Sequence, residues 1–514
     1  ACPLVSDGSP LLRSYKLSFS PDGDGVRGDY LCPPAHIRTS MRNEHGGAGD
    51  RRPGDHSDSP ADRQSLFGTS GVRGRVGEDV TADLALAVAR ALAVDADRAV
   101  VGRDARDSGR SLVAALCAGL FECGVDIVDV GRAATPTIAR SVADRDADVG
   151  IAVTASHNPP ADNGIKLWAP SGQAFDRERV AAIERRIESG RAQFAPWDAH
   201  GRRTRWDGAE DAHRRALVDA GRRRAAAADA SLADLHAVVD VGNGMGGLTA
   251  AVLHRLGATV ETLNAQPDGR FPGRPSEPTD ETCSGLVDYV AARDADLGIA
   301  HDGDADRTMA VDDAGRFVAG DDLLAVFALS EVRPGDRVAA PVDTSLTVDD
   351  ALAARGATVV RTRVGDVHVA ERTREDGVAF GGEPSGAWIF PEETLCPDGP
   401  LAAVVLAVLA AERPLSARVD AVPDHPIRRD TVETPRGEAV MATVTERVDE
   451  TYDDVTGIDG VRVALDDGWF LIRASGTQPL LRVTAQARDD RAADRLRETA
   501  LGLVDEGVSQ TADR

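Results

Sequence analysis

From Leu66 onward, short runs rich in Val, Ile and Ala alternate with longer stretches whose apolar residues recur at helical spacing. Such alternation is the signature of α/β units built on parallel strands. It predicts a strand around Phe67–Val76, a helix near Thr81–Val94, a strand at Ala99–Gly102 and a helix near Gly109–Cys123. A strand at Asp126–Val130, a helix after Pro136 and the strand Val149–Thr154 complete a first cycle. A second cycle follows Trp197, with a long Ala/Arg helix, a strand at Ala237–Val241, a helix from Met245 and a strand at Leu297–His301. The third starts near Gly320, with strands at Val338–Val342 and Thr358–Val364 and a closing helix after Pro400. Arg413–Pro435 carries four prolines and reads as a linker. Beyond it the order changes to a helix near Arg436–Asp449, strands at Val461–Leu465, Trp469–Arg473 and Leu481–Ala485, and a final helix. The expectation is an α/β protein of three similar α/β domains (63–198, 199–318 and 319–425), with a smaller α+β domain at 426–514.

Residues 1–62 break the pattern. They are dense in Pro, Gly and Asp and show no sustained apolar period. They read as a disordered extension or as sequence upstream of the true start, with Met41 an internal candidate, and they lack the apolar core of a signal peptide.

Composition narrows the function. A chain of 514 residues, 42% hydrophobic, is a globular protein of about three or four domains. The apolar run Leu401–Ala411 reads as a buried helix, too short for the ~20 residues of a membrane span. The net charge of -25 argues against nucleic-acid partners, whose binding depends on cationic fields. Lysine is confined to Lys16 and Lys166, and an acidic, Arg-for-Lys chain suits a halophilic protein as well as a GC-rich genome. Six cysteines without a CxxC pair suggest a reduced, cytoplasmic setting, with neither a disulfide framework nor a zinc site.

Five motifs carry candidate chemistry. Thr154-Ala-Ser-His-Asn-Pro-Pro, with Asn163-Gly-Ile-Lys166 close behind, follows a predicted strand, where α/β proteins place ligands. Ser156, His157 and Lys166 offer a hydroxyl, an imidazole and an ammonium, which suit a nucleophile holding a phosphoryl group; the rival is an ordinary Ser-Pro turn. Asp302-Gly-Asp-Ala-Asp-Arg307 sets three carboxylates at alternate positions after the strand Leu297–His301. Like charges so close repel unless a cation lies between them, and hard oxygen ligands suit Mg²⁺. A calcium EF-hand is excluded by Arg307 and Asp313 where Gly and Glu belong. Arg473-Ala-Ser-Gly-Thr477 is a plausible phosphate cradle, Gly381-Gly-Glu-Pro-Ser-Gly386 offers Glu383 and Ser385 to sugar hydroxyls, and Phe67–Gly74 presents Arg73. One string points elsewhere. Gly242-Asn-Gly-Met-Gly-Gly247, with Glu261 about 20 residues on, fits a dinucleotide fingerprint and hence an NAD(P)-dependent oxidoreductase, but leaves the other motifs unexplained.

In this order, the five motifs resemble the α-D-phosphohexomutase family, and most of all its archaeal phosphoglucosamine/phosphomannomutase branch, over about Leu66–Val504. The resemblance implies a heart-shaped molecule with four domains around a central cleft. It implies a mutase that interconverts hexose 6-phosphate and hexose 1-phosphate through a phosphoserine and a bisphosphorylated sugar. Phosphoglucosamine mutase is the first expectation, with phosphomannomutase or phosphoglucomutase specificity as the alternative. By motif, Ser156 matches the phosphoserine, and Asp302, Asp304 and Asp306, with a phosphoserine oxygen, the Mg²⁺ ligands. Lys166, His157 and Arg73 match basic groups that assist proton transfer and charge stabilisation. Arg307 matches a residue near the transferred phosphate, and Glu383 and Ser385 the sugar loop. Arg473, Ser475, Gly476 and Thr477 match the grip on the phosphate not being transferred, and a sugar 1,6-bisphosphate is the implied activator. Ala387 stands where many relatives carry His, so an acid/base group is missing there.

Overall fold

The computed structural model describes residues 66–68, 71–474 and 480–512. The expectations for residues 1–62 and for Ser475, Gly476 and Thr477 lie outside the described residues.

Among the described residues four sheets succeed one another along the chain, and the first three share one plan. In the first sheet Arg98–Arg103 lies between Asp126–Arg132 and Val149–Val153, all parallel, and Asp162–Trp168 returns antiparallel beside Val149–Val153. In the second, His236–Asp240 lies between Thr259–Leu263 and Leu297–His301, and Thr308–Val311 returns antiparallel. In the third, Arg337–Pro341 lies between Thr358–Thr362 and Val378–Glu383, and Ala387–Ile389 returns antiparallel. Each plan therefore turns back once, after its third parallel strand. Those turns hold Ser156, Asp302–Asp306 and Glu383–Ser385 respectively. Parallel strands buried on both faces read as unbroken apolar runs, and Val149–Val153 and Leu297–His301 are buried throughout.

The fourth sheet is wholly antiparallel, in the order Ile427–Glu433, Leu480–Ala487, Gly468–Ala474, Val461–Leu465, Val455–Thr456. The helices Gly437–Thr451 and Asp490–Ala512 pack on it, giving the expected α+β domain.

Three expectations change. Arg413–Pro435 is more than a linker, because Ile427–Glu433 pairs with Leu480–Ala487 over seven residues; proline disfavours only the interior of a sheet, and Pro426 precedes this edge strand. Arg203–Arg205, beyond the expected boundary at residue 198, joins the first sheet beside Asp126–Arg132. Asn163–Lys166 lies in a further strand, Asp162–Trp168, beyond the expected elements. The helix Gly399–Glu412 is as expected: Asp398 caps it by accepting from Leu401 N at 3.0 Å, and it is buried from Gly399 to Ala410 in a core shared by the second and third sheets. No described helix is long and apolar enough to cross a membrane.

Candidate active site

The first two turns meet face to face. Ser156 leaves the end of its strand with φ 52°, a left-handed conformation that a serine adopts only when its surroundings hold it there. It is buried, and its hydroxyl donates to Asp302 Oδ2 at 2.6 Å, with Asp306 Oδ1 at 3.3 Å. Gly303 allows this approach: a Cβ there would lie 2.7 Å from the Ser156 carbonyl oxygen.

The three aspartates offer ligand atoms within 4.8 Å of one another, all buried. Burial and mutual repulsion push the Asp302 carboxyl well above the usual range, and burial with Asp304 raises Asp306 as well. For Asp304 burial acts the same way but is outweighed by Lys166 and by the Thr135 hydroxyl, which donates at 2.6 Å, so it is held low. Lys166 donates to Asp304 Oδ2 at 3.0 Å and also to Asp306. Asp304 Oδ1 is buried without a hydrogen-bond partner. A buried carboxylate oxygen facing two further carboxylates fits a hard divalent cation, and these donors suit Mg²⁺.

Lys166 is one of the basic groups expected to assist proton transfer and charge stabilisation. Burial would lower its pKa, but the two aspartates outweigh burial and raise it, so it stays charged. His157 fares the opposite way, its pKa brought down to about 2 by burial and by Arg307, Arg73 and Lys166. The imidazole is therefore neutral, with Nδ1 3.4 Å from the Ser156 hydroxyl. Arg73 Nε is buried with no partner.

A cleft of about 340 Å³ joins this centre to the third turn, lined by Arg73, Ser156, His157, Asp306, Arg307, Glu383, Ser385 and Ala387. Gly365 N donates to Glu383 Oε1 at 2.6 Å, and burial with the nearby Asp366 brings Glu383 up to about 7. Gly386, at φ 98°, makes the tight turn that sets Ser385 beside it. Arg473, on the fourth sheet, pairs with Asp459 at 3.1 Å and lies near enough to Asp343 of the cleft to counter part of the effect of burial on its carboxyl.

The dinucleotide string is a packing turn. Gly244 has no room for a side chain, since a Cβ would meet Gly303 O at 2.6 Å, and Met245 N donates to that same oxygen. Glu261 is engaged by His236, Tyr289 and Arg293.

Sequence reasoning passed over several residues. Asp321, Asp343, Asp366 and Arg429 also line the cleft; Arg429 was hidden by the prolines of the supposed linker. Thr135 begins the helix Thr135–Asp144 and touches Asp304 from 169 residues away, with nothing local to betray it. Asp104 and Arg106 follow the strand Arg98–Arg103, where an acid–base string was a usable signal.

Comparison with known proteins accords with this geometry. Models of phosphoglucomutase/phosphomannomutase match in order: α/β/α domain I at residues 64–194, domain II at 217–315, domain III at 319–425 and the C-terminal domain at 431–502. A Methanopyrus kandleri protein named "Probable phosphoglucosamine mutase" is 44% identical, over 87% of this chain and 99% of its own length. One of the same name from Methanococcoides burtonii is 42% identical, over 86% and 100%. A crystal structure of a phosphoglucomutase/phosphomannomutase family protein from Burkholderia thailandensis superposes with a TM-score of 0.75 at 28% identity, covering 87% of this chain and 98% of that one. Four domain models in sequence and full-length archaeal relatives above 40% identity place the chain in the α-D-phosphohexomutase family of enzymes, in its archaeal branch.

Proposed function

We propose that this enzyme is a phosphoglucosamine mutase that moves a phosphoryl group between the 6- and 1-positions of the sugar by way of Ser156. The reading is carried by one observation: the Ser156 hydroxyl lies 2.6 Å from Asp302, inside a buried carboxylate triad at the floor of the cleft. Phosphorylated Ser156 gives its phosphoryl group to the sugar phosphate, the bisphosphate turns around, and Ser156 takes back the other phosphate. Asp302, Asp304 and Asp306 would hold Mg²⁺ beside the serine oxygen, and the ion, when bound, supplies charge neutralisation. Neutral His157, beside the Ser156 hydroxyl, offers a hydrogen bond to the transferring group. Arg73 and Arg307 offset charge on the transferring group, and Lys166 keeps Asp304 ionised. Glu383 and Ser385 bind sugar hydroxyls, while Arg473, Ser475, Gly476 and Thr477 grip the passive phosphate. A sugar 1,6-bisphosphate restores enzyme that has lost its phosphate.

The amino sugar is favoured over mannose or glucose by the acidic lining of the cleft. Asp321, Asp343, Asp366 and Glu383 all line it, and an ammonium at the 2-position finds acceptors there that a neutral sugar does not need.

The test is a coupled assay across glucosamine, mannose and glucose 1-phosphates with Mg²⁺ and a trace of bisphosphate, in low and high KCl. Highest turnover on glucosamine phosphate is expected, with activity rising toward molar KCl if the acidic surface serves life in salt. Preference for a neutral sugar moves the specificity and leaves the mutase standing; no interconversion of any of the three removes the reading.

A further inference from the structure

Among the described residues, Arg106 is the largest charged side chain with no exposed surface, and nothing in the chemistry above uses it. Its Nη2 donates to the carbonyl oxygens of Ser156 at 3.0 Å and Asn158 at 2.6 Å, and its Nη1 to those of Pro159 at 2.5 Å and Asp162 at 3.0 Å. Its Nε donates to Asp104 Oδ2 at 3.0 Å. The whole turn from Ser156 to Asp162 is thus wrapped around one guanidinium.

The other side of Ser156 leads back to the same pair. Ser156 N donates to Thr154 Oγ1 at 2.9 Å, and the Thr154 hydroxyl donates to Asp104 Oδ2 at 2.8 Å. Hydrogen bonds therefore run from the Ser156 amide through Thr154, Asp104 and Arg106 back to the Ser156 carbonyl, closing a ring. Two contacts tie the ring to the second sheet's loops. Ser276 Oγ donates to the Ser156 carbonyl at 2.8 Å, and the Phe271 ring lies 4.9 Å from the guanidinium. Gly269 admits this packing, since a Cβ there would meet the Arg106 Cα at 2.4 Å.

We propose that Arg106, closed through Asp104 and Thr154 and seconded by Ser276, is the positioning residue of phosphoryl transfer: it holds Ser156 in its left-handed conformation with the hydroxyl aimed at the carboxylate triad. The proposal rests on the reading of Ser156 as the phosphoryl carrier. A serine that alternately gives and receives must keep one geometry in both states. A non-glycine residue at positive φ relaxes unless its amide and carbonyl are both fixed. Arginine suits the task because its planar fork serves several acceptors at once, while a lysine ammonium offers three donors on a flexible stem.

The experiment measures single-turnover transfer from glucose 1,6-bisphosphate to the dephosphorylated enzyme, by intact mass against time. Wild type, Arg106→Lys and Ser276→Ala are compared, with kcat, KM and melting temperature recorded for each. For Arg106→Lys the transfer rate and kcat should fall about a hundredfold with KM within about threefold, since a displacement near 1 Å costs that much. Ser276→Ala leaves every buried charge paired and should lose about three- to tenfold in transfer at nearly unchanged melting temperature. A variant that melts earlier but transfers at the wild-type rate per folded molecule overturns the proposal. If Arg106→Lys does not fold, Ser276→Ala decides alone, and a wild-type rate in it overturns the clamp. Absence of any phosphate adduct on wild-type Ser156 overturns the carrier reading itself, a result distinct from either.

Discussion

The two faces of the cleft are built on opposite electrostatic plans. On the reactive face, charge is settled within the protein: Lys166 answers Asp304 and Asp306, Arg106 answers Asp104, and the Ser156 hydroxyl serves Asp302. On the facing wall it is left open. Burial brings Asp321 up to about 6 and raises Asp343, Glu383 sits at about 7, and the Arg429 guanidinium makes no hydrogen bond or ion pair among the described residues. The reactive face pairs most of its charge internally and leaves Asp304 Oδ1 and Arg73 Nε without a hydrogen-bond partner; the receiving face keeps an unpaired guanidinium for substrate. Groups that change partners in every cycle gain nothing from internal pairing, whereas a nucleophile must be held before the substrate arrives.

The comparison breaks most sharply at Ser156. Ser156→Ala should abolish turnover, because no covalent carrier remains, and should remove any phosphate adduct seen by intact mass. The change is nearly isosteric, so folding should survive; full activity in this variant would sink the assignment. Next comes the charge of the reactive face. Asp304→Asn keeps the shape of the triad and removes the carboxylate that Lys166 and Thr135 hold ionised. Mg²⁺ affinity and kcat should drop together by about two orders of magnitude or more, since metal-borne neutralisation is lost. Normal activity without added metal would reduce Asp302–Asp306 to an acidic turn.

The receiving face should respond differently, in affinity before rate. Arg473→Lys keeps the charge but loses the two-pronged grip on phosphate, about 1–3 kcal/mol of charge-assisted hydrogen bonding. KM and the demand for sugar 1,6-bisphosphate should rise about tenfold while transfer to Ser156 continues. Superimposable bisphosphate titrations for variant and wild type would show that Arg473 holds nothing there.

The smallest effect is on stability. Glu383 is raised from 4.5 to about 7, chiefly by burial and next by Asp366, so the folded state binds a proton that the unfolded state releases. The stabilisation this gives is complete below pH 4.5 and lost as pH rises to about 7, amounting to roughly 3 kcal/mol at most. Unfolding measured from pH 4.5 to 7.5 should show a decline in wild type that is shallower in Glu383→Gln. Parallel profiles would mean that Glu383 is neutralised by substrate-independent partners.

Much of this was written locally. Buried parallel strands announce themselves as apolar runs, and the residues at their ends are contiguous, so Ser156 and the Asp302–Asp306 string were legible as chemistry at strand ends, whereas the strand Val378–Glu383 that carries the third turn was not among the expected elements. The helix Gly399–Glu412 was equally plain, because a segment buried all round is apolar all round. Pro414, Pro423, Pro426 and Pro435 misled for a local reason: proline density signals a break, but an edge strand tolerates a proline before its first residue.

The sequence alone therefore determined the alternation of elements, the class of chemistry and the order of the motifs. Tertiary structure decided which groups face one another. It put Lys166 on a strand against two aspartates 138 and 140 residues away, made it a fixed charge, and left His157 neutral among cations. It also turned a dinucleotide-like string into a packing turn against Gly303, and it enlisted Asp104, Thr135, Ser276 and Arg429. The physical reason is range. Propensity and periodicity act over a few residues, whereas protonation state, strain and shared hydrogen bonds depend on neighbours brought close only when the domains pack.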